Sequence, residues 1–400
     1  MLSAHSCPVG RLGAEDTGGM SVYIREIARE LGRRGHLVDV YTRAHDSEHE
    51  VVMGLGENAR LIHLRAGEDE KIHKLAVYLH LPDFACRLEG FRKDNHLRYD
   101  LVFSHYWLSA WVGKFLQGWW DVPHMAMFHT LGALKNAVGI GEDEPELRVE
   151  TERYLIGNCR RIIAATDKEK ADIVRYYGAT PEAVSVIPCG VNLELFQPVA
   201  REVAREQLGF KNGRTILYVG RIEPLKGVDR LVKAMAYLNN GHGPRLVVIG
   251  GEGSSRYERA VQQLPQELHI KDSVSFMGLV TQEALPRFYS AADVCVVPSY
   301  YESFGLVALE SLACGTPVVT TRTGGAESFI KDGETGYIVA DNSPRQLARR
   351  IGRLLSKTGH NGGSAAAIRA SVSRFSWPNI ADLIIQECRR LLASYAAGGR

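Results

Sequence analysis

Residues 298–325, PSYYESFGLVALESLACGTPVVTTRTGG, contain two glutamates, Glu302 and Glu310, that are eight positions apart. The apolar run 293–298 predicts a buried strand, and the sequence around Gly305 predicts the start of a helix. Eight residues are slightly more than two helical turns, so Glu302 is predicted just before the helix and Glu310 on the same face within it. Most glutamates are solvated surface charges, but open α/β sheets bind ligands where strands end. The pattern therefore favours functional carboxylates.

The start of this helix has the features of a phosphate site. Gly305 permits close approach of the backbone, and the N–H groups around Phe304 and Leu306 suit an anion. Glu310 is predicted to accept hydrogen bonds from two adjacent hydroxyls, such as those of a ribose. Glu302 is predicted to bind hydroxyls of an attached sugar. One element would thus bind several parts of a nucleotide sugar.

Two other stretches suggest phosphate binding. Arg221 and Lys226 follow a predicted strand at 215–220, and two cations in that loop would neutralise a diphosphate leaving group; the alternative is a solvated basic loop. Gly18 and Gly19 lie between a predicted strand and a helix at residues 21–34. That arrangement suits phosphate, although paired glycines also occur in ordinary turns.

These residues resemble the E-x7-E motif of retaining, nucleotide-sugar-dependent glycosyltransferases of the group 1, GT4 type. The chain is more closely similar to the branch of sucrose-phosphate synthases and the inositol-phosphate N-acetylglucosaminyltransferases of mycothiol synthesis. The resemblance covers essentially the whole chain. It implies the α/β GT-B fold, in which two Rossmann-like, doubly wound parallel-sheet domains face a cleft. It also implies that Gly18 and Gly19 face the donor, and that Arg221 and Lys226 form the diphosphate clamp, GR-x4-KG.

The same resemblance implies roles for further residues. His129 would contact the transferred sugar, whereas a lone histidine is more often a core residue with satisfied nitrogens. Relatives with phosphorylated acceptors bind the phosphate through a Lys, a Tyr, a Thr and an Arg of the first domain. The matching positions are Lys74, Tyr106, Thr130 and Arg148, with Lys71 as the alternative to Lys74. The base pocket would be lined by backbone groups of Gly278, Leu279 and Val280.

Length and composition set the remaining expectations. A chain of 400 residues is too long for one core, so we expect two domains. The net charge of +2 gives no indication of nucleic-acid binding, and no apolar run is long enough to span a membrane. Seven scattered cysteines without a C-x-x-C pair are typical of reduced thiols in the cytoplasm. We expect neither a metal nor a cofactor beyond the nucleotide sugar, which is a co-substrate.

The predicted organisation is an acceptor-binding domain over residues 1–195, a donor-binding domain over 196–372 and a terminal helix, 373–400, that returns to the first domain. Residues 1–6 read as an unusually short first strand. The predicted activity is retaining transfer of glucose or N-acetylglucosamine, UDP-linked, to a small phosphorylated acceptor such as fructose 6-phosphate or inositol phosphate. Alternatives are a lipid or polysaccharide acceptor, a nucleotide-sugar epimerase of the same architecture, or a silent nucleotide-sugar-binding protein.

Overall fold

The computed structural model describes residues 1–10, 13, 17–45, 50–67, 72–210, 213–238, 243–253, 255–356 and 364–397. Lys71 and most of the predicted loop 357–366 lie outside the described residues. The strands of the first half are β1 Val38–Arg43, β2 Val52–Gly56, β3 Ala59–Leu64, β4 Val102–His105, β5 His124–Met127, β6 Arg161–Ala164 and β7 Val184–Val186. Its helices are α1 Gly19–Arg33, α2 Lys74–Val77, α3 Leu81–Asp94, α4 Tyr106–Trp120, α5 Gly132–Val138, α6 Glu146–Asn158 and α7 Asp167–Tyr177.

In the first half, two groups of strands are joined into one sheet by a single residue, Leu2. The strand order is β2-β3-β1 on one side and β4-β5-β6-β7 on the other, and Leu2 bridges Tyr41 of β1 and Ser104 of β4. All neighbours are parallel except β2 and β3. The prediction of a first strand over residues 1–6 was wrong in extent. The chain turns after Ser3, whose hydroxyl donates to the carbonyl of Ser6 at 2.5 Å, so only Leu2 pairs with its neighbours.

The second half has the strands β8 Thr215–Val219, β9 Arg245–Ile249, β10 Val274–Phe276, β11 Val294–Val297, β12 Val318–Thr321 and β13 Gly336–Val339. Its helices are α8 Arg201–Gln207, α9 Val228–Leu238, α10 Arg256–Glu267, α11 Leu285–Ala291, α12 Leu306–Ala313, α13 Ala326–Phe329, α14 Pro344–Leu355, α15 Ala365–Ala370 and α16 Trp377–Ala397. The six strands form a parallel sheet in the order β10-β9-β8-β11-β12-β13. Helices cover both faces, which explains why β11 is buried throughout.

The topology of the second sheet positions the predicted donor residues. The chain leaves β8 toward β9 on one side and returns to β11 on the other, so the strand order reverses between β8 and β11. Ligands of open α/β sheets bind in the crevice at such a reversal. Arg221 and Lys226 follow β8, and Glu302 follows β11, so both loops open into that crevice.

The last helix, α16, lies against the first half of the chain. Arg34, which directly follows α1, donates to Asp382 at 2.8 Å and to the carbonyl of Pro378 at 2.8 Å. The ring of Trp377 lies 5.6 Å from that of Tyr23, centroid to centroid. The two sheets divide between β7 and β8, in a segment that contains the predicted boundary at residue 196.

Candidate active site

A cavity of about 410 Å³ lies between the carboxyl-terminal edges of the two sheets. Every site residue predicted from the sequence lines this cavity except Gly278. The carbonyl of Gly278 instead accepts the N–H of Gly250 at 2.8 Å, in an isolated antiparallel bridge beside the cavity-lining residue Gly250. Residues about 290 positions apart in the chain therefore share one space.

Lys226 and Glu302 form an ion pair in the wall made by the second domain. Lys226 Nζ lies 2.7 Å from Glu302 Oε1, and the Ser299 hydroxyl donates to the same oxygen at 2.8 Å. Both charged side chains remain partly exposed to the cavity. Arg221, in the same loop as Lys226, lies 3.1 Å from Glu223 and is 42% exposed. The site thus presents two cations, each beside a carboxylate.

Two helix N-termini meet at the cavity from opposite domains. α12 begins after Gly305, whose φ of +104° is a left-handed conformation that favours glycine. α1 begins at Gly19, and a Cβ added at Gly19 would lie 3.2 Å from a methyl of Leu306. The first-turn N–H groups of both helices lack intrahelical partners, so this junction suits an anion. The helix predicted to open at residues 303–305 begins at Leu306 because Gly305 has non-helical torsion angles.

Glu310 is a buried carboxyl group in the wall made by the second domain. It is 8% exposed, and its Oε2 accepts a hydrogen bond from the Tyr289 hydroxyl at 2.8 Å. Burial raises the pKa of Glu310 to about 7, against the opposing hydrogen bonds from Tyr289 and Gln282. Gln282 in turn accepts from Arg25 of α1 at 2.6 Å. The predicted ribose ligand is thus linked through Gln282 to the other domain.

His129 is held in a conformation that the sequence does not reveal. It follows β5 with φ of +61°, which is uncommon for a residue with a side chain, and its Nε2 lies 3.0 Å from His105 Nδ1. Burial lowers the pKa of His129 to about 3, so the imidazole is neutral near pH 7. Its ring lines the cavity between the two walls. A neutral imidazole at this position can exchange hydrogen bonds with a sugar hydroxyl.

The four predicted acceptor residues come together in the wall made by the first domain. Arg148 is 1% exposed, and one of its terminal nitrogens donates to the carbonyl and to the hydroxyl of Thr130, at 2.9 and 3.0 Å. Its guanidinium carbon lies 4.8 Å from the ring centroid of Tyr106. Tyr106 follows β4 with φ of +76°, a second strained residue at a strand end. Lys74, from α2, completes the group.

Two further residues of this wall, His5 and Lys135, and the neighbouring Glu144 were missed from the sequence. Lys135 and Glu144 form a short ion pair, and Glu144 also lies 2.9 Å from Arg148 and 3.8 Å from Lys74. His5 stacks on Tyr106 with ring centroids 4.3 Å apart. His5 follows the bridging residue Leu2 by three positions, so the rule that polar residues cluster after strands would have indicated it. Lys135 and Glu144 lie in helical and loop sequence, where their spacing carries no such signal.

The cavity lining contains no evident metal-binding group. Across the described ranges, no cluster of three or more His, Cys, Asp or Glu side chains has the arrangement of a metal site. The structure likewise contains, wherever it describes the chain, no helix with both the length and the apolar character needed to cross a membrane. The charged groups that line the cavity are basic side chains and three glutamates, Glu223, Glu302 and Glu310.

Comparison with known proteins identifies the family. Residues 17–195 match the Glycosyltransferase Family 4 model, and residues 200–368 match the model of Glycosyl transferases group 1. The chain is 36% identical to D-inositol 3-phosphate glycosyltransferase of Mycobacteroides abscessus, over all of this chain and 90% of that protein. It is 38% identical to the protein of the same name from Acidothermus cellulolyticus, over 98% of this chain and 90% of that one.

Solved structures agree with this assignment. Sucrose-phosphate synthase from Thermosynechococcus elongatus superimposes with a TM-score of 0.91 at 34% identity, over 98% of each chain. HepE of Anabaena in complex with UDP-glucose shares the fold, with a TM-score of 0.77 at 18% identity, over 97% of this chain and 98% of that one. The chain therefore belongs to the group 1 glycosyltransferases with a family 4 first domain, has the GT-B fold, and is a glycosyltransferase close to the D-inositol 3-phosphate glycosyltransferases and sucrose-phosphate synthase.

Proposed function

We propose that this glycosyltransferase moves glucose or N-acetylglucosamine from a UDP-linked donor to a hydroxyl of a small phosphorylated acceptor, with retention at the anomeric carbon. One observation carries the proposal. The cavity has a donor-type wall in the second domain and a cluster of three cations, Lys74, Lys135 and Arg148, in the facing wall of the first. A single anion site would serve the donor alone, whereas two on opposite walls suit a donor diphosphate and an acceptor phosphate.

The donor wall has the groups that a departing diphosphate requires. Arg221 and Lys226 supply positive charge, and the N-terminus of α12 supplies N–H groups beside them. The carboxylate of Glu302, held by Lys226 and Ser299, is positioned to accept hydrogen bonds from the transferred sugar. Glu310 accepts hydrogen bonds from the ribose hydroxyls, and backbone groups of Leu279 and Val280 bound the base.

In this proposal the configuration of the anomeric carbon is retained because the acceptor hydroxyl attacks on the same face from which the diphosphate leaves. The bond between the anomeric carbon and the diphosphate oxygen breaks, and the acceptor oxygen forms its bond on the same side. The acceptor proton passes to the departing phosphate oxygen, which becomes more basic as its bond to carbon breaks. Neutral His129 holds a sugar hydroxyl during this step. Basic side chains stabilise the leaving group, so we expect no requirement for a metal ion.

The acceptor wall suits a phosphate dianion. Lys74 and Lys135 provide ammonium groups, Arg148 provides a fixed guanidinium, and the hydroxyls of Tyr106 and Thr130 complete the set. The names of relatives point to the same class of acceptor, since one set acts on D-inositol 3-phosphate and another is a sucrose-phosphate synthase. Fructose 6-phosphate and inositol phosphate are therefore the candidate acceptors.

A substrate panel tests the proposal directly. UDP-glucose and UDP-N-acetylglucosamine are incubated with fructose 6-phosphate, inositol 3-phosphate and the same acceptors without phosphate, in EDTA, and the released UDP is measured. We expect turnover with at least one phosphorylated acceptor, none with its unphosphorylated counterpart, and an α-linked product by NMR. Arg148→Ala should raise the KM for the acceptor and leave the KM for the donor unchanged.

Other outcomes identify the alternatives. Sugar interconversion without any acceptor would indicate an epimerase, and equal use of phosphorylated and unphosphorylated acceptors would exclude the phosphate site. Turnover only with lipid or polysaccharide acceptors would place the enzyme in another acceptor class. Loss of activity in EDTA that Mg²⁺ restores would contradict metal-independent catalysis.

A further inference from the structure

An acidic residue lies beside the acceptor wall, in contact with the cations that are proposed to bind a phosphate. Glu144 lies among Lys74, Lys135 and Arg148, and its side chain is only 5% exposed. Burial by itself would raise the pKa of Glu144, but the three cations lower it to about 2. The carboxylate therefore stays ionised at neutral pH, and it makes the contacts that an incoming phosphate would make.

The contacts of Arg148 indicate how far Glu144 and a phosphate would compete for the same guanidinium. Its guanidinium has five N–H donors. Nε donates to Glu152 at 2.7 Å, one terminal nitrogen donates twice to Thr130, and the other terminal nitrogen lies 2.9 Å from Glu144. These contacts use four of the five donors, so a phosphate receives more than one N–H group of Arg148 only if a partner such as Glu144 or Thr130 gives up a contact.

The surroundings of the two partners indicate which contact is released. The Thr130 carbonyl is fixed in the backbone, and its hydroxyl can donate to a phosphate while it accepts from Arg148. The backbone of Glu144 is held by Asn136, through hydrogen bonds of 2.7 and 2.9 Å. Among the residues that the structure describes, its carboxylate is held only by the three cations. The side chain can therefore rotate away while its backbone stays in place.

We propose that Glu144 is an internal counter-anion of the acceptor-phosphate site, and that phosphate binds by displacing its carboxylate from Lys74, Lys135 and Arg148. This inference rests on the proposed function for the identity of the acceptor. While the site is empty, the carboxylate holds the three cations in position and offsets their mutual repulsion. The Glu144 carboxylate also favours dianionic ligands. A dianion compensates the three cations better than the carboxylate that it displaces, whereas a monoanion or a neutral acceptor does not.

Orthophosphate binding provides the first test because it does not depend on turnover. Orthophosphate is titrated by calorimetry at neutral pH into protein saturated with UDP, so that the donor anion site is occupied. Removal of one negative charge a few ångströms from the bound anion should tighten its affinity in Glu144→Gln by about tenfold. Glu142→Gln is the matched control, because this variant removes the same charge from an exposed position two residues away.

Kinetics provide the second test. Glu144→Gln should lower the KM for the phosphorylated acceptor, leave the KM for the donor unchanged, and increase the relative use of sulfate-bearing or unphosphorylated analogues. Glu144→Ala should act in the same direction, and thermal melting shows whether each variant is folded. If Glu144 only held the cations in place, both variants should instead bind the anion more weakly.

The outcomes separate this inference from the proposed function. Unchanged or weaker orthophosphate affinity in folded Glu144→Gln and Glu144→Ala overturns the counter-anion, even where Arg148→Ala confirms a phosphorylated acceptor. Tighter orthophosphate binding without use of any phosphorylated sugar supports the counter-anion and overturns the proposed acceptor class.

Discussion

Cationic side chains at the cavity are held in fixed orientations by ion pairs and hydrogen bonds. Lys226 is held by Glu302, and Arg148 is held by Glu144, Glu152 and Thr130, so the cations are oriented before any substrate binds. Transition-state stabilisation is most effective when the charges need little reorganisation as the reaction proceeds. Charge alone therefore does not account for the site, because the acidic partners determine where each cation points.

Lys226 offers a direct test of the donor wall. Lys226→Ala should lower kcat by about 10²-fold, because one charged group that stabilises the leaving diphosphate is lost. Lys233→Ala, which removes a surface lysine paired with Asp229 on α9, is the control and should leave kcat unchanged. Steady-state release of UDP measures both. A near-normal rate for folded Lys226→Ala would contradict the diphosphate clamp.

The raised pKa of Glu310 predicts a pH dependence of nucleotide binding. Its pKa of about 7 means that the carboxyl is largely protonated below that pH and ionised above it. Only the ionised form accepts hydrogen bonds from both ribose hydroxyls, so UDP affinity should increase as the pH rises from about 6 to about 8. Calorimetry of Glu310→Gln is the control. This variant lacks the carboxyl group, so any pH dependence that remains comes from the protonation of UDP itself. Parallel pH profiles for the two proteins would argue against a ribose contact.

Among the secondary-structure elements, strands and long helices were predictable and the segments between them were not. Continuous apolar runs such as β11 and the amphipathic stripe of α1 are local patterns that identify their own structure. β2, a mostly exposed antiparallel edge strand, has no such pattern and was missed. The predicted first strand failed for a related reason, because hydrogen bonds to β1 and β4, not apolar length, define Leu2.

The junction before α12 gives a prediction for one element. Gly305→Ala forces a side chain into a left-handed conformation, which costs about 1–2 kcal/mol, or displaces the helix N-terminus. We therefore expect a lower melting temperature together with weaker UDP binding. Gly118→Ala, in the interior of α4 with open space around the added methyl, is the control and should not destabilise the protein. Unchanged UDP affinity in Gly305→Ala would show that the helix N-terminus does not bind the nucleotide.

At the level of the two domains, several contacts cross the cleft. Arg25 of α1 donates to Gln282, and the backbone N–H of Leu131 lies 3.4 Å from the Tyr301 hydroxyl. Gly19 lies against Leu306, so the two helix N-termini approach each other closely. Domain closure around a donor is the usual way in which such enzymes exclude water. These contacts are the points where closure and donor binding would be coupled.

Arg25 tests this coupling because it lies in the first domain and Gln282 in the second. Arg25→Ala should weaken UDP binding, since Gln282 loses the partner that orients it toward Glu310. A double-mutant cycle with Gln282→Ala should give a coupling energy of about 0.5–2 kcal/mol. Arg33→Ala, on the exposed face of the same helix, is the control. Additive effects of the two changes would show that the contact does not transmit donor binding.

The amino-acid sequence by itself determined the fold class and the donor wall. The pairs Glu302 and Glu310, and Arg221 and Lys226, each belong to one short segment, and the strand before each segment sets its position at the sheet edge. The family resemblance had indicated Lys74 and Arg148, whereas only the tertiary structure showed that Lys135 and Glu144 contact them from separate elements. The periodicity of a helix or strand can be read from one short segment, whereas the pairing of charges depends on how distant segments pack. For this reason the sequence indicated the cations Lys74 and Arg148 but not the carboxylate of Glu144 that contacts them.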